Sequence, residues 1–133
     1  MPNWKLLALV TVGGGLGSVA RFLVTLLVQQ RVPLDFPAGT FLVNVTGSFL
    51  IGLFAQLGVD TRVLSPETRL FLMTGLCGGY TTFSTFSYET LQLVEDNRYG
   101  HAAAYIAGSV LLSLLACLLG LASARGLLAW RRG

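Results

Sequence analysis

Residues 75–89 combine glycines, hydroxyl side chains, two phenylalanines and one carboxylate within a stretch that is otherwise apolar enough for a bilayer. Hydrocarbon penalises every unsatisfied backbone group, so such a segment is tolerated only where it faces protein, water or an ion. Gly75, Gly78 and Gly79, followed by two threonines, predict a break in the helix. Carbonyl oxygens at a break suit a hard cation, whereas amides and hydroxyls suit an anion.

Two aromatic side chains and an acid follow the predicted break. Phe83 and Phe86 are three residues apart and share one helical face. Ordinary core packing explains such a pair, but the edges of aromatic rings are electropositive, so the pair could also pass a small anion. Glu89 lies one turn beyond Phe86, and an acid inside a membrane span is a candidate functional residue.

The first apolar stretch carries a stripe of small and polar residues. Gly13, Gly17, Arg21 and Thr25 recur every four residues. The two glycines would let another helix approach closely. An arginine several turns into a span must pair, line water or extend its head group to the interface, so Arg21 fits both a structural role and a role beside a pore.

Polar residues also mark the second and fourth stretches. Asn44 would either bind a neighbouring helix or donate its NH₂ group to a passing anion. Ser109 and Ser113 share one helical face, and their hydroxyls would either bond to their own helix or line a path. Polar faces on several helices favour a shared polar interior.

The composition identifies an integral membrane protein. Of the 133 residues, 53% are hydrophobic and 11% are charged, against about 25% charged in soluble domains. Four stretches are long enough to span a bilayer, at about residues 4–28, 36–59, 67–94 and 101–128. We therefore predict one all-α domain over residues 1–133, with four transmembrane helices and a third helix broken between Gly75 and Thr82. The net charge of +3 is explained by lipid head groups rather than nucleic acid.

Short connections between the spans make successive helices antiparallel, so both termini lie on one side of the membrane. That side carries six flanking cations and the other carries two, which favours cytoplasmic termini in the cell (inner) membrane. The six are Lys5, Arg62, Arg69, Arg125, Arg131 and Arg132, and the two are Arg31 and Arg98.

Three motifs resemble the signature of the Fluc fluoride-channel family, also called CrcB. Gly13-Gly14, Gly17 and Arg21 follow the pattern Gly-Gly-x-x-Gly-x-x-x-Arg. Gly39-Thr40 and Asn44 follow Gly-Thr-x-x-x-Asn, and residues 78–87 follow Gly-Gly-x-Thr-Thr-Phe-Ser-Thr-Phe-Ser. The resemblance covers essentially the whole chain. Tyr80 departs from the family pattern, in which this position is often leucine.

The resemblance implies a fluoride-selective channel made of two oppositely oriented copies of the chain, with a structural sodium ion at the dimer centre. The carbonyl groups of Gly78 and Thr81 would hold the sodium ion. Asn44, Phe83 and Phe86 would line the fluoride path, with Ser109 and Ser113 beside it. The remaining expected path residues are Thr82, Ser84, Thr85 and Glu89 in a polar track, and Arg21 near the pore entrance.

Two other functions are compatible with four short spans. A small dual-topology multidrug transporter would need a carboxylate deep in its first span, where this chain has Arg21 and no acid. In a non-transporting accessory membrane protein, residues 83–89 would serve packing alone. An enzyme is the least favoured alternative, because no nucleophile, base and orienting group can be assembled near one another.

Overall fold

The structure is a computed structural model that describes residues 3–32 and 35–133. The predicted connection between the first two spans includes residues 33 and 34, which lie outside the described ranges. The described elements, in chain order, are α1 (Trp4–Gln29), α2 (Ala38–Leu57), α3 (Pro66–Arg69), a π-helical segment (Leu70–Cys77), α4 (Gly78–Tyr80), α5 (Phe83–Glu95) and α6 (Tyr99–Arg132).

The third predicted span is divided into two half-helices. Residues 66–80 form a continuous run of helical turns, which we call the upstream half-helix. Thr81 and Thr82 are extended, and α5, the downstream half-helix, follows them. Among the described residues, α1, α2 and α6 are each long and apolar enough to cross a membrane alone. The predictions of an all-helical membrane protein and of a break between Gly75 and Thr82 are confirmed.

The chain reverses between α5 and α6 through a tight turn at Asn97. This residue has a φ of 58°, a left-handed conformation that asparagine tolerates better than most residues. The Arg98 amide donates to the Leu93 carbonyl at 2.8 Å, and the Asn97 amide donates to the Val94 carbonyl at 3.0 Å. This bonding pattern ends α5 with its last carbonyls satisfied, and it returns α6 alongside α5.

Glycines allow α1 to pack directly on the upstream half-helix. A Cβ atom at Gly13 would lie 2.7 Å from the Phe71 carbonyl oxygen, and one at Gly17 would lie 2.8 Å from the Tyr80 amide nitrogen. The close helix approach predicted for Gly13 and Gly17 is confirmed. Gly79 is part of the same contact, because a Cβ atom there would lie 3.0 Å from the Gly14 carbonyl carbon.

Helix α2 has neighbours on two sides, α1 and the upstream half-helix on one and α6 on the other. Gly120 allows the close contact with α6, because a Cβ atom there would lie 2.8 Å from the Leu53 amide nitrogen. The fully buried side chains include Val43 of α2 and Tyr105 of α6. Most leucines of α1 and α6 are exposed, which is the distribution expected for surfaces that face lipid or a second chain.

The contact at Gly17 predicts a matched pair of substitutions. Gly17→Ala places a methyl group against backbone atoms that cannot move aside, so we expect it to destabilise the fold by about 1–3 kcal/mol. Gly15→Ala is the control, because nothing lies within 4 Å of a Cβ atom at Gly15. Thermal unfolding of the two variants in detergent measures the difference, and equal midpoints would contradict the proposed contact.

Candidate functional site

The break between the half-helices is held by the side chain of Asn44. Thr81 (φ −84°, ψ 156°) and Thr82 (φ −149°, ψ 116°) are both extended, so the helical hydrogen bonds stop there. The Thr82 amide donates to Asn44 Oδ1 at 2.8 Å, and Asn44 Nδ2 donates to the Thr82 carbonyl at 3.1 Å. One amide side chain from α2 therefore satisfies both backbone groups of an extended residue at membrane depth.

The same bonds release two backbone carbonyl groups. In a continuous helix the Thr82 amide would donate to the Gly78 carbonyl, but it donates to Asn44 instead. The Thr85 amide would likewise donate to the Thr81 carbonyl, but it donates to Thr82 Oγ1 at 3.2 Å. The carbonyl oxygens of Gly78 and Thr81 thus both lose their helical partners. These are the two carbonyls that the family resemblance implies as sodium ligands.

Arg21 is paired with the end of the upstream half-helix. Its Nε atom donates to the Gly79 carbonyl at 3.1 Å. This is one of the last carbonyls of the half-helix, where the helix dipole is negative and a cation is favoured. Arg21 is partly buried. Its hydrogen bond to the Gly79 carbonyl meets the expectation that an arginine inside a span must pair.

A groove of about 460 Å³ opens beside the break and brings most of the predicted site residues together. All of its lining side chains among the described residues are neutral. It contains the predicted path residues Asn44, Thr82, Phe83, Phe86, Ser109 and Ser113, and the predicted cation ligands Gly78 and Thr81.

The two phenylalanines lie at the groove in different environments. Their ring centroids are 5.6 Å apart, with an angle of 48° between the ring planes. Phe86 also packs on Tyr105, with 5.1 Å between centroids. Phe83, in contrast, is 79% exposed in the single chain. Core packing within one chain therefore accounts for Phe86 but not for Phe83.

Ser109 has a buried hydroxyl that no protein group satisfies in the described part of the chain. The residue is 6% exposed, and its Oγ atom has no hydrogen-bond partner there. A serine in a membrane helix commonly bonds to a carbonyl of its own helix, but Ser109 does not. A buried donor without a partner at the wall of a groove is a place where a bound anion would restore the missing bond.

Glu89 lies away from the groove and is held by two residues that sequence reasoning did not assign to the site. Thr40 Oγ1 donates to Glu89 Oε1 at 2.8 Å, and the Tyr105 hydroxyl donates to Glu89 Oε2 at 2.7 Å. The available signal was spacing: Thr40 is one helical turn from Asn44, and Tyr105 is one turn from Ser109.

A second cavity, of about 270 Å³, begins at this carboxylate. Its lining includes Thr40 and Glu89 as well as the Arg98 side chain. Because Glu89 is one turn from Phe86 on α5, the cluster around Glu89 lies between this cavity and the groove. The other polar or charged residues in the lining are Thr25, Gln29, Asp35, Gln92 and Asp96.

The hydroxyls of Thr82, Ser84 and Thr85 form a separate cluster at the start of α5. Thr82 Oγ1 lies 3.0 Å from Thr85 Oγ1 and 3.3 Å from the Ser84 hydroxyl. Thr82 caps the helix, so the cluster lies at the electropositive end of α5. Thr82 lines the groove, whereas Ser84 and Thr85 lie beside it.

Among residues 3–32 and 35–133, no group of three or more His, Cys, Asp or Glu side chains could hold a metal ion. The groups freed at the break are the Gly78 and Thr81 carbonyl oxygens. Oxygen ligands of this kind suit hard cations and not the transition metals that prefer imidazole or thiolate.

Comparison with known proteins identifies the family. The family model of the CrcB-like proteins, described as camphor resistance (CrcB), matches residues 8–121. A fluoride-specific ion channel FluC of Nitrobacter winogradskyi is 48% identical over 119 residues, which cover 90% of this chain and 94% of the relative. A fluoride-specific ion channel FluC of Rhizobium meliloti is 51% identical over 90% of this chain and 95% of the relative. Another, of Chlorobaculum tepidum, is 53% identical over 86% of this chain and 89% of the relative. The family resemblance predicted from the three sequence motifs is confirmed, and the chain belongs to the CrcB family.

Proposed function

We propose that this chain is a fluoride-selective ion channel that exports cytoplasmic fluoride passively. The observation that carries the proposal is the neutral groove with its unsatisfied Ser109 hydroxyl. Fluoride is small and strongly hydrated, so a path must replace its water with donors already in place without binding the ion too tightly. Neutral donors meet both demands. The relatives reported above are named as fluoride-specific ion channels, which agrees with this reading of the groove.

The proposed path runs from the polar cavity to the groove. Thr40 and Tyr105 each present a hydroxyl at the Glu89 end, where they bond the carboxylate. Phe86 separates this end from the groove, and the electropositive edges of Phe86 and Phe83 face the passing anion. Asn44 uses one of its two N–H donors on Thr82, which leaves the other for the anion.

The remaining predicted residues contribute to the field around the path. The hydroxyls of Thr82, Ser84 and Thr85 extend it as a polar track at the start of α5, and Ser113 adds a hydroxyl on α6. Arg21 supplies a positive charge at the end of the upstream half-helix. Because a cell interior is electrically negative, an anion that accumulates inside leaves down its electrochemical gradient without coupling to protons or nucleotides.

A sodium ion fits the freed carbonyls at the break. Hard cations prefer oxygen ligands, and the Gly78 and Thr81 carbonyls both lost their helical donors. A bound sodium ion would supply fixed positive potential beside the anion path. In the proposed assembly these two residues of each subunit hold the ion, and Arg21 and Asn44 keep the surrounding backbone in place.

The proposed functional unit is an antiparallel homodimer in the lipid bilayer. Phe83 is 79% exposed and Gly78 is also exposed in the single chain, although both line the groove. A second copy would cover this surface and would bring two more carbonyls to the sodium ion. The six-to-two distribution of flanking cations disfavours equal insertion in both orientations. Burial of the groove favours a pair of chains, and the antiparallel orientation is the one that the family resemblance implies.

Efflux from liposomes tests the proposed function. Vesicles loaded with potassium fluoride and given a potassium ionophore should release fluoride rapidly, as read by a fluoride electrode. Potassium leaves through the ionophore and dissipates the membrane potential that would otherwise stop fluoride efflux. A protonophore should not change the rate, and vesicles loaded with potassium chloride should retain most of their chloride. Absence of fluoride release from well-folded protein would overturn the proposal.

Substitutions at the groove test the path. Phe83→Ile removes an electropositive ring edge, and Asn44→Asp sets a carboxylate oxygen against the Thr82 carbonyl. We expect each to reduce fluoride efflux about tenfold or more, which corresponds to a barrier higher by about 1.4 kcal/mol. Phe22→Ile is the control, since Phe22 is 65% exposed on α1. Normal efflux in both variants, with dimers intact by gel filtration, would remove these residues from the path.

Ser109→Ala separates a role in conduction from a role in folding. Removing a buried hydroxyl without a partner should leave the thermal midpoint unchanged or raise it, because no protein hydrogen bond is lost. Efflux should nevertheless fall, because the anion loses a donor. A lower thermal midpoint with normal efflux would show that the hydroxyl serves the fold.

A further inference from the structure

Tyr80 is the last helical residue before the break, and its side chain is bonded to α2. The Tyr80 hydroxyl lies 2.9 Å from Thr46 Oγ1. Thr46 donates its own hydroxyl proton to the Leu42 carbonyl at 2.7 Å. Because a threonine hydroxyl has a single proton to donate, Tyr80 is the donor in the bond between Tyr80 and Thr46.

The backbone and ring of Tyr80 are confined as well. A Cβ atom at Gly17 of α1 would lie 2.8 Å from the Tyr80 amide nitrogen. A Cβ atom at Gly47 of α2 would lie 3.1 Å from Cδ1 of the Tyr80 ring. Tyr80 therefore lies between two helices, with its backbone against α1 and its side chain against α2.

Residues 44–47 of α2 hold the whole break. Thr46 bonds Tyr80, Gly47 makes room for the Thr81 methyl group, and Asn44 bonds the Thr82 backbone. Tyr80, Thr81 and Thr82 are consecutive, so a restraint on one also restrains the peptide units of its neighbours. The Gly78 carbonyl lies on one side of Tyr80 in the chain and the Thr81 carbonyl on the other.

We propose that Tyr80 and Thr46 are positioning residues that orient the Gly78 and Thr81 carbonyls for the sodium ion. The inference rests on the sodium site of the proposed function. In this proposal the two carbonyls hold the ion, and the Tyr80 and Thr46 hydroxyls bond each other rather than the ion. Their effect is transmitted through the backbone. Fixing the Tyr80 side chain to α2 restrains the two peptide groups that flank Tyr80, and these are joined to the peptide groups that carry the Gly78 and Thr81 carbonyls. The restraint limits the reorganisation needed when the ion binds.

A sodium titration of thermal stability tests the pair. Full-length protein in detergent is unfolded at increasing sodium chloride, with choline chloride holding the ionic strength constant. Tyr80→Phe and Thr46→Val should each raise the apparent sodium dissociation constant, fitted from the rise of stability with sodium, about three- to tenfold, the effect of one neutral hydrogen bond. The double variant should be no worse than either single one, since all three lack the same bond. Thr46→Ser keeps the acceptor and should behave as the unsubstituted chain.

Tyr99→Phe is the matched control for loss of a tyrosine hydroxyl. Tyr99 is 61% exposed, and its hydroxyl bonds Asn97 in the α5–α6 turn. It should leave the sodium dependence unchanged. Thr46→Val tests the same bond from α2, so a failure of Tyr80→Phe to fold does not decide the result.

Three results would overturn the proposal. The first is an unchanged apparent sodium dissociation constant in Thr46→Val. The second is an equal loss of stability in the absence of sodium and at high sodium, which would indicate a bond that serves the fold alone. The third is a lack of sodium stabilisation in the unsubstituted chain, which would also reject the sodium site. Fluoride efflux from liposomes is measured separately and decides the channel proposal by itself.

Discussion

The two hydrogen bonds between the Asn44 side chain and the Thr82 backbone are the constraint on which the rest of the site depends. An extended residue at membrane depth has an amide and a carbonyl that neither water nor its own helix can satisfy. Asn44 has one acceptor and two donors on a short side chain, so it can pair both groups at once. The diverted Thr82 amide frees the Gly78 carbonyl, and the extended Thr82 in turn caps α5. The proposed cation ligands, the start of the downstream half-helix and one wall of the groove thus share a single cause.

The glycines near the break allow helix α1 to pack closely and do not themselves interrupt the helix. Gly75, Gly78 and Gly79 all remain helical, and the chain departs from helix at the two threonines that follow. A methyl group at Gly79 would collide with the backbone at Gly14, so the glycines permit α1 to touch the upstream half-helix directly. The predicted interval for the break was correct, but the cause assigned to the glycines was wrong. Helix packing stabilises glycine in a helical conformation that its backbone freedom alone disfavours.

Charge is kept at the edges of the proposed path. Arg21 donates to a carbonyl at the end of the upstream half-helix, and Glu89 accepts hydrogen bonds from Thr40 and Tyr105. The groove between these charges is lined by neutral side chains in the described part of the chain. A cationic side chain such as arginine pointing into the groove would hold fluoride strongly, and a carboxylate there would repel it. Partial charges on amide, hydroxyl and ring-edge groups give an attraction weak enough for the ion to leave.

The sequence by itself determined the membrane setting, the all-helical class, the approximate spans and the family, because hydrophobicity, glycine spacing and motif order are local properties of the chain. It also indicated most residues that line the groove, since each lies on a polar helix face. Only the tertiary structure decided what those residues do: that Asn44 bonds Thr82, that Arg21 meets Gly79, and that Thr40 and Tyr105 both reach Glu89. These contacts join positions as far as 58 residues apart, so helix packing sets them and no local pattern encodes them.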